Sequence, residues 1–294
     1  MATHHSAQFL SGYRFIFGSE QNLLVMNRIY IFINTLLTLS SLSLVGQEIN
    51  PTNNEIRLSV GISDMTILDR RLSASAKSYK APVFGLTAIR TSQEFRHQFN
   101  FKYALKTKGA NEGLLNFTFH RPEFYYSLQK KSGDIWIGGH INFNTLLTFP
   151  SSSTGLFGNS PISYTIASGI GPSISYGTGS LFGQEKLSFQ SDLNVSLLSY
   201  VIRPEQGHPY PAEFLEPGVF TPTRAGMAGS LLRSGTIKTI DKYQSIRINF
   251  GIFYAVSSSF RVGINARVDY NNDINLKSSK YSSVDYMVSA SYLY

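Results

Sequence analysis

The strongest constraint on this chain is an alternation of side-chain character with period two, sustained for about ten residues at a time. From Phe95 to Tyr103, Phe95, His97, Phe99, Phe101 and Tyr103 share one parity, and Arg96, Gln98, Asn100 and Lys102 share the other. Residues 260–270 repeat the pattern, with Phe260, Val262, Ile264, Ala266, Val268 and Tyr270 opposite Arg261, Gly263, Asn265, Arg267 and Asp269. Further runs are Ile246-Ile248-Phe250-Ile252-Tyr254, Leu187-Phe189-Leu193-Val195-Leu197 and Ile135-Ile137-Ile141-Phe143. Successive side chains of a strand point to opposite faces, so each run reads as a strand with one apolar and one polar face. Strands of soluble proteins are mostly about 5–6 residues long, whereas about ten residues suit a tilted strand crossing a bilayer.

Composition narrows the choice. Charged residues make up 15% of the chain and aromatic residues 13%, with 17 Tyr and 21 Phe against one Trp. That is too aromatic and too poor in charge for disorder. A mean hydropathy of −0.07 argues against a bundle of membrane helices. The absence of Cys excludes disulfides, thiolate metal sites and a Cys nucleophile.

The N-terminal region reads as a targeting segment. Arg28 precedes an apolar stretch that begins Ile29-Tyr30-Ile31-Phe32-Ile33 and runs to Val45-Gly46. One basic residue, a short apolar core and a small residue at its end form a secretory signal pattern. Met26 is the expected start, residues 1–46 are the upstream extension plus signal peptide, and cleavage is expected between Leu44 and Glu48. Residues 47–294 then form one domain.

Tyr286, Val288, Ala290, Tyr292 and Tyr294 alternate to the final position. This resembles the C-terminal strand of Gram-negative outer-membrane β-barrels, in which a terminal aromatic residue is the signal read by the barrel-assembly machinery. The resemblance implies an all-β fold, a transmembrane antiparallel up-and-down barrel in the outer membrane. Such barrels have short turns at the end carrying both termini and longer loops at the other. Strands at 54–63, 82–91, 94–105, 113–129, 134–146, 160–182, 186–202, 244–256, 259–270 and 283–294 make every expected outer connection longer than every inner one. Ten strands satisfy this test. Twelve would require a hairpin within 160–182 and another strand within 227–240. The connection 203–243 carries Pro204, Pro209, Pro211, Pro217 and Pro222, which cannot sit in a central strand, and reads as a cap or a ligand-contacting loop.

The polar parities place Arg57, Arg96, Lys102, His140, Asp192, Arg247, Arg261, Arg267 and Asp269 in the lumen, with Asp192 and Asp269 as its clear acidic residues. A net positive lumen suits anions if it is open. In a barrel of about ten strands, a plug of hydrogen-bonded side chains is the competing expectation. His97, His120, His140 and His208 lack a Ser two positions on, where Phe99, Pro122, Asn142 and Tyr210 stand, although a Ser from another strand could meet one of them. Glu205, His208 and Glu213 lie on one long loop. No enzymatic activity, cofactor or metal is expected, and nucleic-acid binding has no support beyond the net charge of +8. Arg70, Arg71, Lys77 and Lys80 suit an outer segment facing lipopolysaccharide. Three functions follow in order: a narrow pore for small solutes, a non-conducting barrel whose loops bind an envelope protein or glycan, and a barrel hydrolase.

Overall fold

The computed structural model describes residues 54–69, 76–106, 117–150, 163–203, 235–274 and 279–294. The expectations for the signal segment, its cleavage site, Arg70, Arg71 and the proline-rich stretch with Glu205, His208 and Glu213 lie outside them.

The strands are β1 (Glu55–Asp69), β2 (Lys77–Thr91), β3 (Phe95–Lys106), β4 (Phe117–Ser132), β5 (Ile135–Pro150), β6 (Ser163–Thr178), β7 (Leu187–Ser196), β8 (Leu198–Ile202), β9 (Thr236–Thr239), β10 (Tyr243–Ala255), β11 (Phe260–Asp273) and β12 (Ser279–Leu293). Each pairs antiparallel with its neighbours, β1 joins β12, and β5 joins β6, so the sheet closes. The wall has ten strands. β8 continues β7 along β6 after a one-residue break at Leu197, and β9 extends β10 along β8. Pro172 has no amide hydrogen to donate and sits beside that break, where β6 has no ladder partner in β7 or β8.

Sequence and structure differ at the connections. The long segment expected within 160–182 is a single strand without a hairpin, and the strand found near residue 236 is an extension of β10 rather than a new wall strand. β1 and β2 run on to Asp69 and Lys77, so Asp64 and Lys80 are ladder partners rather than loop residues. The connection expected over 271–282 shrinks to 274–278, while the inner one expected over 183–185 grows to 179–186. The outer-longer rule therefore fails for this pair. A polar residue such as Asn271 looks like loop in sequence, but here it faces the barrel interior.

Leu58, Val60, Ile62, Phe84, Phe99, Phe124, Leu128, Ile141, Ile174, Ile252, Ile264 and Val288 are exposed on the outside. They form an apolar belt contributed by β1 to β6 and β10 to β12, far beyond the patches that soluble monomers tolerate. The buried face holds Arg, Lys, Asp, Glu, Asn and Ser. Such an inside-out distribution, with every central backbone ladder paired, is that of a transmembrane β-barrel. Phe95, Tyr254, Phe260, Tyr292 and Tyr294 are exposed around the end where Asn54 and Tyr294 exchange backbone hydrogen bonds. We call this the terminus end, and the opposite one the far end.

Candidate functional site in the barrel lumen

Inward side chains fill the lumen in layers. Nearest the far end, Met65, Ala81, Phe119 and Leu146 form an apolar layer with Ile67 and Tyr79 packed against it.

Below lies an ionic layer. The Lys102 ammonium reaches Asp285 at 2.5 Å, Asp269 at 2.7 Å and Glu123 at 3.2 Å. Arg121 pairs with Glu123 at 2.9 Å and Asp285 at 3.3 Å, and Arg247 with Asp269 at 2.8 Å and Glu123 at 3.2 Å. Arg267 bonds Asp269 at 2.8 Å and also Glu123. The Tyr281 hydroxyl donates to Glu123 at 3.2 Å. Arg121 is fully buried (0% exposed) and lies over the Tyr281 ring. These groups come from β3, β4, β10, β11 and β12, so the layer ties opposite walls together. Truncating one member of such a buried network costs about 3–5 kcal/mol, because its partner charges stay buried.

Beside it, Tyr125 donates to Asn194 at 2.5 Å, Gln129 donates to Ser173 and Ser175, and Ser175 donates to Asp192 at 2.6 Å. Arg96 lies 3.6 Å from Asp192. His140 stacks on Tyr125, and its Nδ1 donates to the Pro172 carbonyl at 3.0 Å. In the neutral ring Nε2 is then the acceptor, and it lies 3.3 Å from Ser196 Oγ. Asn142 donates to the same hydroxyl at 2.9 Å. This is the cross-strand Ser that the His-x-Ser spacing could not supply, but Ser196 is 0% exposed.

At the terminus end, Glu55 pairs with Arg57 at 2.9 Å and with Arg261. Both guanidinium groups lie over the Phe253 ring, 4.1 and 4.5 Å from its centroid. The ring is fully buried and occupies a slot that only glycine permits. A Cβ on Gly251 would come 2.5 Å from it, and one on Gly263 2.4 Å. Between this cluster and the ionic layer is a cavity of about 50 Å³, lined by Arg57, Gln98, Asn100, Lys102, Asn265 and Arg267 among others.

The structure places Arg57, Arg96, Lys102, His140, Asp192, Arg247, Arg261, Arg267 and Asp269 on the inner face, but it divides them among these layers rather than gathering them into one ring. The expectation that Asp192 and Asp269 are the main lumenal acids is corrected: Glu55, Glu123, Asp273 and Asp285 are buried there too. Glu123 and Asp285 lie on the inward parity of β4 and β12, and this parity was their only signal. On β4 the alternation is blurred by Phe119 and Tyr125, which face inward, and by Pro122. Tyr286, Val288, Ala290 and Tyr292 face outward on β12, and Tyr294 just past its end is exposed and pairs with Asn54.

On the same outer face, two pairs lie near opposite ends of β3 and β4. His97 Nδ1 is 2.8 Å from the Tyr126 hydroxyl, and Tyr103 is 2.6 Å from His120 Nδ1. Among the described residues, no group of three or more His, Asp or Glu side chains is arranged to hold a metal ion.

No protein-family model matches the sequence. No curated protein matches it either. Among solved structures, the outer membrane protease OmpT from Escherichia coli aligns with a TM-score of 0.42 at 10% identity, covering 85% of this chain and 99% of that one. The translocator domain of the autotransporter NalP from Neisseria meningitidis gives 0.37 at 9% identity, covering 91% and 96%. The toluene transporter TodX of P. putida gives 0.32 at 8% identity, covering 84% and 90%. At these scores and identities, the likeness carries no argument about function, and the lumen has to be interpreted from its own chemistry.

Proposed function

We propose that this chain is an outer-membrane β-barrel that is closed to solutes at rest and acts through what its far end presents to a partner, a protein, a glycan or another envelope component. The observation that carries this reading is the ionic layer, in which Lys102, Arg121, Arg247 and Arg267 reach carboxylates across the lumen. A pore needs a continuous aqueous path, and here the apolar layer, the ionic layer and the Phe253 cluster lie in series. A small barrel filled by its own side chains is a scaffold rather than a channel.

The apolar belt and the aromatic C-terminal strand support the outer membrane as its location, with the terminus end on the periplasmic side. The partners this implies are membrane lipid, lipopolysaccharide near exposed Lys80, and the assembly machinery that reads Tyr286 to Tyr294. The His140–Ser196 pair is read as interior packing, since a hydrolase must bring substrate to the hydroxyl.

Planar-bilayer recording of the purified protein tests the reading. The expected result is a silent bilayer after insertion has been verified by protease protection. Stable, ion-selective unitary currents would restore the narrow pore as the leading function.

A further inference from the structure

Among the described residues the lumenal ion pairs do not balance; Arg203 and Lys238 share Asp273 toward the far end, and two further clusters border the cavity described above. In the ionic layer four cations, Lys102, Arg121, Arg247 and Arg267, face three carboxylates, Glu123, Asp269 and Asp285. At the terminus end two cations, Arg57 and Arg261, share the single carboxylate of Glu55. The Arg96–Asp192 pair between them is neutral in sum. Among the described residues, each of these two clusters thus has one more cation than carboxylate. Buried charge without compensation carries a penalty of several kcal/mol, so a counter-charge between the clusters would be strongly favoured.

The cavity lies at that place. Arg57, bonded to Gln190 at 2.6 Å, reaches it from one cluster, and Lys102 and Arg267 reach it from the other; the Asp192 carboxylate also lines it, with Arg96 3.6 Å away. Two of its polar atoms are buried without a hydrogen-bond partner, the Asn100 amide nitrogen and the Gln98 amide oxygen. The Asn100 carbonyl oxygen is occupied by the Thr87 hydroxyl at 2.6 Å, which turns the amide donor the other way. A volume of about 50 Å³ has room for a few water-sized occupants.

We propose that this cavity binds a small monovalent anion of halide size. Arg57, Lys102 and Arg267 would supply the field, and Asn100 a direct hydrogen bond. A water sharing the cavity would donate to Gln98. The small volume favours a halide over sulfate, phosphate and organic solutes. The proposal goes beyond the closed-barrel reading and is separable from it, because a conducting barrel could hold the same anion and a silent one could lack it.

The test uses the full chain, purified from membranes in detergent, with bromide as the probe. Crystals grown in sodium bromide are expected to show an anomalous peak at the bromine edge, within hydrogen-bond reach of Asn100. In solution, replacing gluconate by bromide at constant ionic strength should raise the thermal unfolding midpoint, and replacing it by sulfate should not. Asn100→Asp places a fixed carboxylate in the cavity. This variant should fold, keep a midpoint at least equal to that of the parent in gluconate, and lose the bromide shift. A cavity holding only water in the bromide crystals would overturn the proposal, and the unmodified protein decides this even if the variant does not fold. So would a midpoint that rises equally in bromide and sulfate.

Discussion

Lys102 donates to the Asp269 carboxylate at 2.7 Å, although β3 and β11 stand four places apart around the wall. The contact crosses the lumen, and both side chains are almost completely buried.

Asp269 also accepts from Arg247 and Arg267, each at 2.8 Å. Asp269→Asn removes a carboxylate from a layer already short of one, whereas Lys102→Met removes a cation from the surplus. We therefore expect Asp269→Asn to lose about 3–5 kcal/mol, as for a broken buried ionic network, and Lys102→Met to lose less. Urea unfolding in detergent, followed by tryptophan or tyrosine fluorescence, measures both. If Lys102→Met is the more damaging change, the surplus of positive charge is not real.

Ile264 is 63% exposed on the outer belt, and its neighbour Asn265 faces the cavity. Arg in place of Ile264 should lower barrel stability by about 2–4 kcal/mol if the residue sits near the bilayer midplane. Asn265→Ala should stay within about 1 kcal/mol, the ordinary range for losing one net hydrogen bond. Folding titrations into lipid vesicles distinguish the two. The reverse order would mean that the β11 faces are assigned backwards, since a one-residue slip exchanges them all.

Phe253 closes the terminus end between Arg57 and Arg261. Truncation to Ala should cost about 3–5 kcal/mol, the usual range for removing a buried aromatic ring, and should open the cavity to solvent. Because the chain has no Cys, Ser59→Cys on the cavity wall gives a unique reporter. Its reaction with a charged thiosulfonate should be slow in the parent and many-fold faster with Phe253→Ala. Equal rates would show that the ring does not gate access.

Tyr294 is exposed just past the end of β12, and its backbone pairs with Asn54. Tyr294→Asp places a charge near the interface, where the local penalty is only about 0–1 kcal/mol. Deleting Tyr292 to Tyr294 also removes the pairs with Glu55 and Ile56. If the assembly machinery reads this strand, both changes should sharply reduce folded, heat-modifiable protein in cells, while Tyr294→Asp refolds nearly normally into vesicles. Normal cellular yield of Tyr294→Asp would remove the terminal aromatic from the assembly signal.

The sequence by itself determined which side chains face lipid and which face the interior, because strand parity is a local property and the alternation runs through β3, β10 and β11 almost without error. It also carried the ten-strand count, since ten apolar runs correspond to ten wall strands. Strand ends were less legible. Asp64, Lys80 and Asn271 are polar and read as loop, yet Asn271 is buried in the polar interior and Asp64 pairs with Lys80 on the exposed face of the extended β1 and β2 strands.

Only the tertiary structure decided which charges meet. Lys102, Glu123, Asp269 and Asp285 lie far apart in the chain, and ring closure and register bring them within bonding distance. The same holds for His140 with Ser196, and for the slot that Gly251 and Gly263 leave for Phe253. Parity says that a group points inward. The depth at which it stops, and the partner it finds there, depend on how ten tilted strands are staggered around a closed wall, and no local pattern encodes that.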